Sequence, residues 1–375
     1  MSGGSGLTAP LRLVICGGGT AGHVYPALAL LEQWPAPRPD VTWIGTPTGM
    51  ERAIVDGAGL PYVPVRSGAI RGQRPDRLVR SAGQLTVGLV QALRALRRLR
   101  PQVVLTTGGY VSVPVAAAAW LLRIPVVVFL PDIRPGIAVR AQQPMATRIA
   151  CAFAPAAEHL APYKTVITGY PVRQGFATGD RETARKAFEV GDEPLLVLYG
   201  GSRGARTLNR AVAGGLDELL ARCRFVHVSG ALDFDEMQAR RTQLPETLRE
   251  RYEVHAFLGD RLIDAFLAAD LCVARAGASI MAELPAAGVP AVVVPGPFSD
   301  QHANGQWLVE RDAAVMVTND DAPRELVAQV CALLDDPDRR HRMARASRAA
   351  AAPDAASALI GLLSEVARTP GNGPP

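Results

Sequence analysis

The feature that most narrows the fold is a phrase that occurs twice. Leu11 to Cys16 is a short apolar run that stops at Gly17-Gly18-Gly19-Thr20-Ala21-Gly22, and a helical pattern follows from His23 to Trp34. Halfway along, Leu195 to Tyr199 runs into Gly200-Gly201-Ser202-Arg203-Gly204, with a helical pattern from Thr207 to Leu220. Strand, glycine loop and helix in that order open a βαβ unit, in which the strands are parallel and the loop lies at a carboxyl end. Further strand-like runs extend the alternation in each half: Val41 to Gly45, Val103 to Thr107 and Pro125 to Leu130, then Phe225 to Ser229, Glu253 to Ala256, Leu271 to Ala274 and Ala291 to Val294. The prediction is an α/β chain of two doubly wound, Rossmann-like domains, which suits 375 residues, too many for one ordinary core. Two such domains would face each other across a cleft lined by the carboxyl ends of both sheets.

The predicted division is a flexible lead-in over 1–9, an N-terminal domain over 10–165, a C-terminal domain over 166–368 and a disordered tail over 369–375. The closing helical segments, Arg324 to Arg368, could pack back on the first domain, and Thr165 to Gly175, rich in Gly and Pro, is the expected hinge. Five cysteines, far apart and without a C-x-x-C pair, read as buried thiols in a reducing cytosol. The lead-in lacks the basic and apolar regions of a secretion signal. Val111 to Leu130 is interrupted by Pro114, Arg123 and Pro125, so it reads as helix, turn and buried strand, not a membrane span. The net charge of +5 comes from 40 basic residues of which only Lys164 and Lys186 are lysine, and an arginine skew of this kind points to no nucleic-acid partner unless the charge clusters. It clusters once: Arg71, Arg74, Arg77 and Arg80 precede the apolar stretch Leu85 to Leu96, and Arg94, Arg97 and Arg98 close it. Arginines flanking apolar side chains suit an anionic bilayer surface, although a solvated helix face would read the same.

Several segments could carry chemistry. Gly17, Gly19 and Gly22 satisfy G-x-G-x-x-G, so a nicotinamide or flavin oxidoreductase is one reading, but the acid that fingerprint needs at the carboxyl end of the second strand is missing: Asp40 stands before Val41, at the other end. His23 begins the helix after the glycines, where an imidazole could serve as a base or merely cap the turn. After the strand Leu271 to Ala274, small residues at Gly277, Ala278 and Ser279 let a diphosphate approach a helix N-terminus, whose N–H groups stabilise anions. Glu283 follows at a distance suited to a ribose, and Asp300-Gln301-His302-Ala303-Asn304 comes after the next strand, where polar groups could read a sugar.

Put together, GGGTAGHVYPALAL, GTPTGMERAIVDGAGLPY, TTGGYVSVPVAAAAWLLRIPVVV, TGYPVR, GGSRGARTLN and RAGASIMAELPAAGVPAVVVPGPFSDQHANGQWL resemble, in order and spacing, the peptidoglycan N-acetylglucosaminyltransferases of glycosyltransferase family 28. The resemblance runs from about Leu11 to about Val317. It implies a GT-B fold and an inverting, metal-independent transfer without a cofactor, from UDP-N-acetylglucosamine to the muramoyl C4 hydroxyl of lipid I, an undecaprenyl-pyrophosphoryl muramoyl peptide. It also implies a peripheral position on the cytoplasmic face of the membrane. The catalytic base would be His23 or Asp132. Thr20, Ala21, Gly22, Arg173 and Ser202 would contact the donor, with Leu258 beside the uracil. Ala278, Ser279, Ile280, Met281, Ala282 and Glu283 would hold diphosphate and ribose, while Gln301 and Asn304 would face the sugar. Gly18, Gly19, Gly109 and Tyr110 would meet the acceptor. The chain departs from the family at Ala21, usually glycine, and at Phe129-Leu130-Pro131-Asp132, usually His-Glu-Gln-Asn. That second change keeps open a related glycolipid synthase, such as one acting on diacylglycerol, and a catalytically silent sugar-nucleotide-binding protein.

Overall fold

The computed structural model describes residues 10–68, 75–201, 204–297 and 301–368. These form two compact units. One runs to Arg173 and takes in the residues from Asp354 onward; the other spans Gln174–Pro353.

The first unit is built on seven strands: β1 Arg12–Gly17, β2 Asp40–Gly45, β3 Tyr62–Pro64, β4 Val103–Gly108, β5 Val126–Leu130, β6 Arg148–Cys151 and β7 Thr165–Ile167. Their order is β3-β2-β1-β4-β5-β6-β7, with every pairing parallel. A parallel sheet carries helices on both faces, so its inner strands must be apolar throughout instead of alternating. Accordingly β4 and β5 are buried along their whole length. Val14, Cys16, Val104, Val128 and Ile149 lie in one core with Ala92, Leu96, Val115 and Ala119 from the helices Pro75–Leu99 and Ser112–Leu121. Each of the Val, Leu and Ile side chains among them contributes about 1.5 to 3 kcal/mol by leaving water.

The second unit has six parallel strands: β8 Leu195–Tyr199, β9 Arg224–Val228, β10 Tyr252–His255, β11 Leu271–Ala274, β12 Ala291–Val293 and β13 Ala314–Met316, in the order β10-β9-β8-β11-β12-β13. Leu198, Leu208, Phe225, Tyr252, Val273, Val292 and Leu326 belong to its core. All five cysteines are buried and free.

The structure adds three short strands that the sequence reading passes over, β3, β6 and β13, each of three or four residues. It also splits the stretch Thr207 to Leu220 into helices Arg206–Ala213 and Leu216–Leu220 around Gly214-Gly215. The expected hinge starts too early: Thr165–Ile167 pairs with β6 as the edge strand of the first sheet. Beyond it the N–H groups of Thr168 and Gly169 donate to Cys151 O, and Gln33 Nε2 donates to Val172 O at 2.8 Å. The chain is therefore tied to the first unit as far as Arg173, and the unit boundary lies eight residues beyond 165. The closing helix, Ala355–Arg368, packs in the first unit against the helix Tyr25–Glu32 and β4.

Candidate functional site

Because every strand of a sheet runs the same way, the loops after β1, β4 and β5 emerge side by side at one edge of the first sheet. The glycines there are set by close approach. Gly18 N–H donates to Gly108 O at 3.3 Å, and a Cβ on Gly109, whose φ is +82°, would collide with Gly18 O. A Cβ on Gly108, φ +121°, would meet the Cδ2–Nε2 edge of the His23 ring. His23 is half-buried, and its Nδ1 lies 2.8 Å from Gly18 O. A carbonyl can only accept, so Nδ1 carries a proton, and the neutral tautomer that meets this contact is the one with Nε2 free to accept. The Thr107 hydroxyl donates to His23 O, fixing the backbone from below.

Glu51, to which sequence reading gives no role, proves to be part of this edge. Its side chain is fully buried; Oε2 accepts Gly19 N–H at 3.1 Å, and Oε1 accepts the N–H of Thr46 at 2.8 Å and its hydroxyl at 2.6 Å. Burial pushes the carboxyl pKa up, but the hydrogen bonds from Thr46 and the backbone outweigh it and hold the group below its ordinary range. The only sequence signal was a carboxylate set just after Gly45 and Gly49, which reads equally well as the solvated first turn of a helix.

In the second unit the loop after β11 leads into the helix Ile280–Ala287. The first N–H groups of that helix to find backbone acceptors are those of Met281, on Gly277 O, and of Ala282 and Glu283, on Ser279 O. The preceding amides of Ala278, Ser279 and Ile280 form its open, electropositive end. Glu283 lies in the first turn with 7% of its surface exposed. Arg275 is not turned to solvent: it donates to Val294 O, Pro295 O and Asn319 Oδ1 at 3.1, 3.2 and 2.9 Å, locking together the carboxyl ends of β11, β12 and β13. Burial lowers its pKa.

Other predicted residues are placed as follows. Gln301 Oε1 accepts Gly296 N–H at 2.7 Å. Asn304 turns inward: it is fully buried and its Nδ2 donates to Ala276 O at 3.1 Å, which braces the loop before the helix. Leu258 is buried just beyond β10. Thr20, Ala21 and Gly22 lie in the β1 loop, and Tyr110 is half-buried after β4. Arg173 belongs to the first unit, its guanidinium 5.9 Å from the Tyr25 ring centre. Phe129 does not occupy the sheet edge: it is a fully buried side chain of β5, edge-on to Tyr170 at 5.8 Å, so this departure from the family motif fills core. Asp132, two residues past β5, is half-buried. Ser202, Arg71 and Arg74 lie outside the described residues, and Arg77 and Arg80 fall in the opening turns of the helix Pro75–Leu99. That helix presents Val87, Val90, Arg94 and Arg97 to solvent, with Arg98 also exposed. The spacing of the first four is i, i+3, i+7, i+10, which is one face. Among the described residues no helix is long and apolar enough to cross a membrane.

The oxidoreductase fingerprint fails on geometry. Asp40 is the first residue of β2, at its amino end, and Glu51, the acid nearest the other end, is committed to Thr46 and Gly19.

Comparison with known proteins agrees with this arrangement. Residues 13–151 match the glycosyltransferase family 28 N-terminal domain and residues 195–359 the family 28 C-terminal domain. A Roseiflexus sp. (strain RS-1) protein is 37% identical over 415 aligned positions, covering 94% of each chain; one from Desulforudis audaxviator (strain MP104C) is 36% identical over 95% of this chain and 99% of its own. Both are named UDP-N-acetylglucosamine--N-acetylmuramyl-(pentapeptide) pyrophosphoryl-undecaprenol N-acetylglucosamine transferase. Among solved structures, Acinetobacter baumannii MurG superposes with a TM-score of 0.73 at 28% identity, over 95% of this chain and all of its own. With two parallel-sheet, Rossmann-like units of the GT-B kind and both domain signatures in register, the chain belongs to glycosyltransferase family 28.

Proposed function

We propose that this glycosyltransferase moves N-acetylglucosamine from UDP-N-acetylglucosamine to the muramoyl C4 hydroxyl of lipid I, forming lipid II with inversion at the anomeric carbon. The observation that carries the reading is full-length similarity to two relatives named for that transfer; the helix that starts after β11, with its first amides ahead of its first backbone acceptors, supports the donor side of it. The second unit holds the donor. The amides of Ala278, Ser279 and Ile280 donate to the diphosphate, Glu283 accepts from the ribose hydroxyls, and Gln301 meets the sugar. The first unit holds the acceptor against the loops after β1 and β4. His23 Nε2 takes the hydroxyl proton as the oxocarbenium-like transition state forms, a contribution of roughly 10²- to 10⁴-fold. UDP leaves as a dianion, and oriented amides stabilise its charge without reorganising. Asp132 is the second candidate for the base.

The membrane-bound acceptor places the enzyme on the cytoplasmic leaflet as a peripheral protein, with the exposed face of the helix Pro75–Leu99 against anionic lipid. Donor assignment is tested by melting. UDP-N-acetylglucosamine should raise the melting temperature and NAD(P) should not, and Glu283→Ala should weaken the response to the sugar nucleotide by about tenfold in Kd, the loss of roughly 1.4 kcal/mol. A response to NAD(P) alone would restore the oxidoreductase reading.

A further inference from the structure

The least expected group at the edge of the first sheet is the buried carboxylate of Glu51. Nothing in the transfer itself needs a second acid there, and its oxygens are turned away from solvent. What it touches is the glycine loop that carries His23. Oε2 accepts from Gly19 N–H, while Oε1 is held by both donors of Thr46. A Cβ on Gly18 would stand 2.5 Å from Oε1, and one on Gly49 would collide with the carboxylate, so the group is packed between these two backbones without slack. The peptide joining Gly18 to Gly19 is therefore gripped at its N–H by Glu51, and its carbonyl is the group facing His23 Nδ1 at 2.8 Å. On the other side of that carbonyl the backbone of Gly109 approaches so closely that a Cβ there would collide with it.

We infer that Glu51 is the positioning residue for His23: by holding the Gly18–Gly19 peptide it aims Gly18 O at Nδ1 and so selects the tautomer that leaves Nε2 free to take a proton. The inference rests on His23 being the base proposed above. Its logic is that of the acid behind a catalytic histidine, except that one peptide unit stands between carboxylate and imidazole. If that peptide rotated, the carbonyl would leave Nδ1 and an N–H would face the ring. Nδ1 would then have to accept, the proton would move to Nε2, and the ring could no longer act as a base at the edge of the sheet.

Glu51→Gln isolates this role. It keeps the volume but replaces one oxygen by an NH₂ group, which must face either Gly19 N–H or Thr46 N–H as donor against donor. In protein with ¹⁵N-labelled histidine, the His23 ring, assigned by its loss in His23→Ala, should be the Nδ1–H tautomer in the unaltered enzyme and should shift toward Nε2–H in Glu51→Gln. Turnover should fall about 10²-fold, the scale of a roughly 1 Å misplacement of a reacting group, with KM for UDP-N-acetylglucosamine unchanged. The double variant His23→Ala/Glu51→Gln should be no slower than His23→Ala alone. An Nε2–H ring in the unaltered enzyme, an unchanged ring in Glu51→Gln, or losses that multiply in the double variant would overturn the inference. Where Glu51→Gln fails to fold, Thr46→Val removes one donor to the same carboxylate and should move the ring in the same direction to a smaller degree; an unmoved ring would count against the role. Absence of transfer by the unaltered enzyme would sink the proposed function, and the ring nitrogens would still judge Glu51.

Discussion

At the scale of single residues, the second unit stores a group whose behaviour is set chiefly by burial, against the opposing charge of Asp233. His227 is fully enclosed, with Nδ1 2.8 Å from the Tyr252 hydroxyl and Nε2 2.9 Å from Asn209 Oδ1; Asn209 Nδ2 in turn donates to Asp233 Oδ2, whose other oxygen accepts from Arg206. Burial pushes the imidazole pKa down to about 3. The folded state therefore refuses a proton that the unfolded chain takes up at its ordinary value of about 6.5. Stability should be fully present above pH 6.5 and fall as pH drops toward 3, by at most about 1.4 kcal/mol per pH unit. His227→Gln should be less stable at pH 7, since it leaves partners unsatisfied, yet lose less between pH 6.5 and 4.5; denaturant titrations across that window check both. Equal slopes would mean the histidine is not neutral in the fold. This network was not legible in the sequence. His227 and Tyr252 stand in strands where polar residues look like surface positions, and only the pairing of β9 with β10 brings them together. Glu51 was hidden for the same reason, since burial of a carboxylate is decided by the glycines packed around it.

At the scale of elements, the long strands and both glycine loops were legible because a buried parallel strand is a continuous apolar run and a glycine cluster marks the turn after it. The three-residue strands β3 and β13 carry too few residues for any period, and β7 was read as connector because its closing Gly and Pro outweigh three residues of pairing. The helix Pro75–Leu99 shows what its sequence left undecided. Ala92, Ala95 and Leu96 are buried, and a Cβ on Gly88 would run into Arg66 O, so that side is closed by the rest of the unit. Val87, Val90, Arg94 and Arg97 remain outside. Flotation with vesicles containing anionic lipid should recover the protein at low salt and lose it progressively as salt screens the arginines, each of which contributes about 1 kcal/mol near such a surface. Val87→Asp/Val90→Asp should weaken recovery at every salt concentration without lowering donor binding. Binding indifferent both to salt and to these substitutions would remove the helix from the membrane account.

At the scale of the whole chain, two units are built on one plan. The N-terminal family signature falls within the first unit and the C-terminal one almost wholly within the second, ending in the final helix, which returns to the unit that the chain built first. The twofold plan was readable because the strand-loop-helix phrase recurs, whereas the boundary was not, because the tie from Gln33 to Val172 joins residues 139 apart. The central claim is sugar transfer to lipid I, and it is tested most directly by incubating the protein with radiolabelled UDP-N-acetylglucosamine and either lipid I or diacylglycerol, in parallel with and without EDTA. The account predicts label in a lipid II product from lipid I alone, reduced about 10²- to 10⁴-fold in His23→Ala. Label in diacylglycerol instead, turnover abolished by EDTA, or no transfer from a protein that still binds the sugar nucleotide would contradict it.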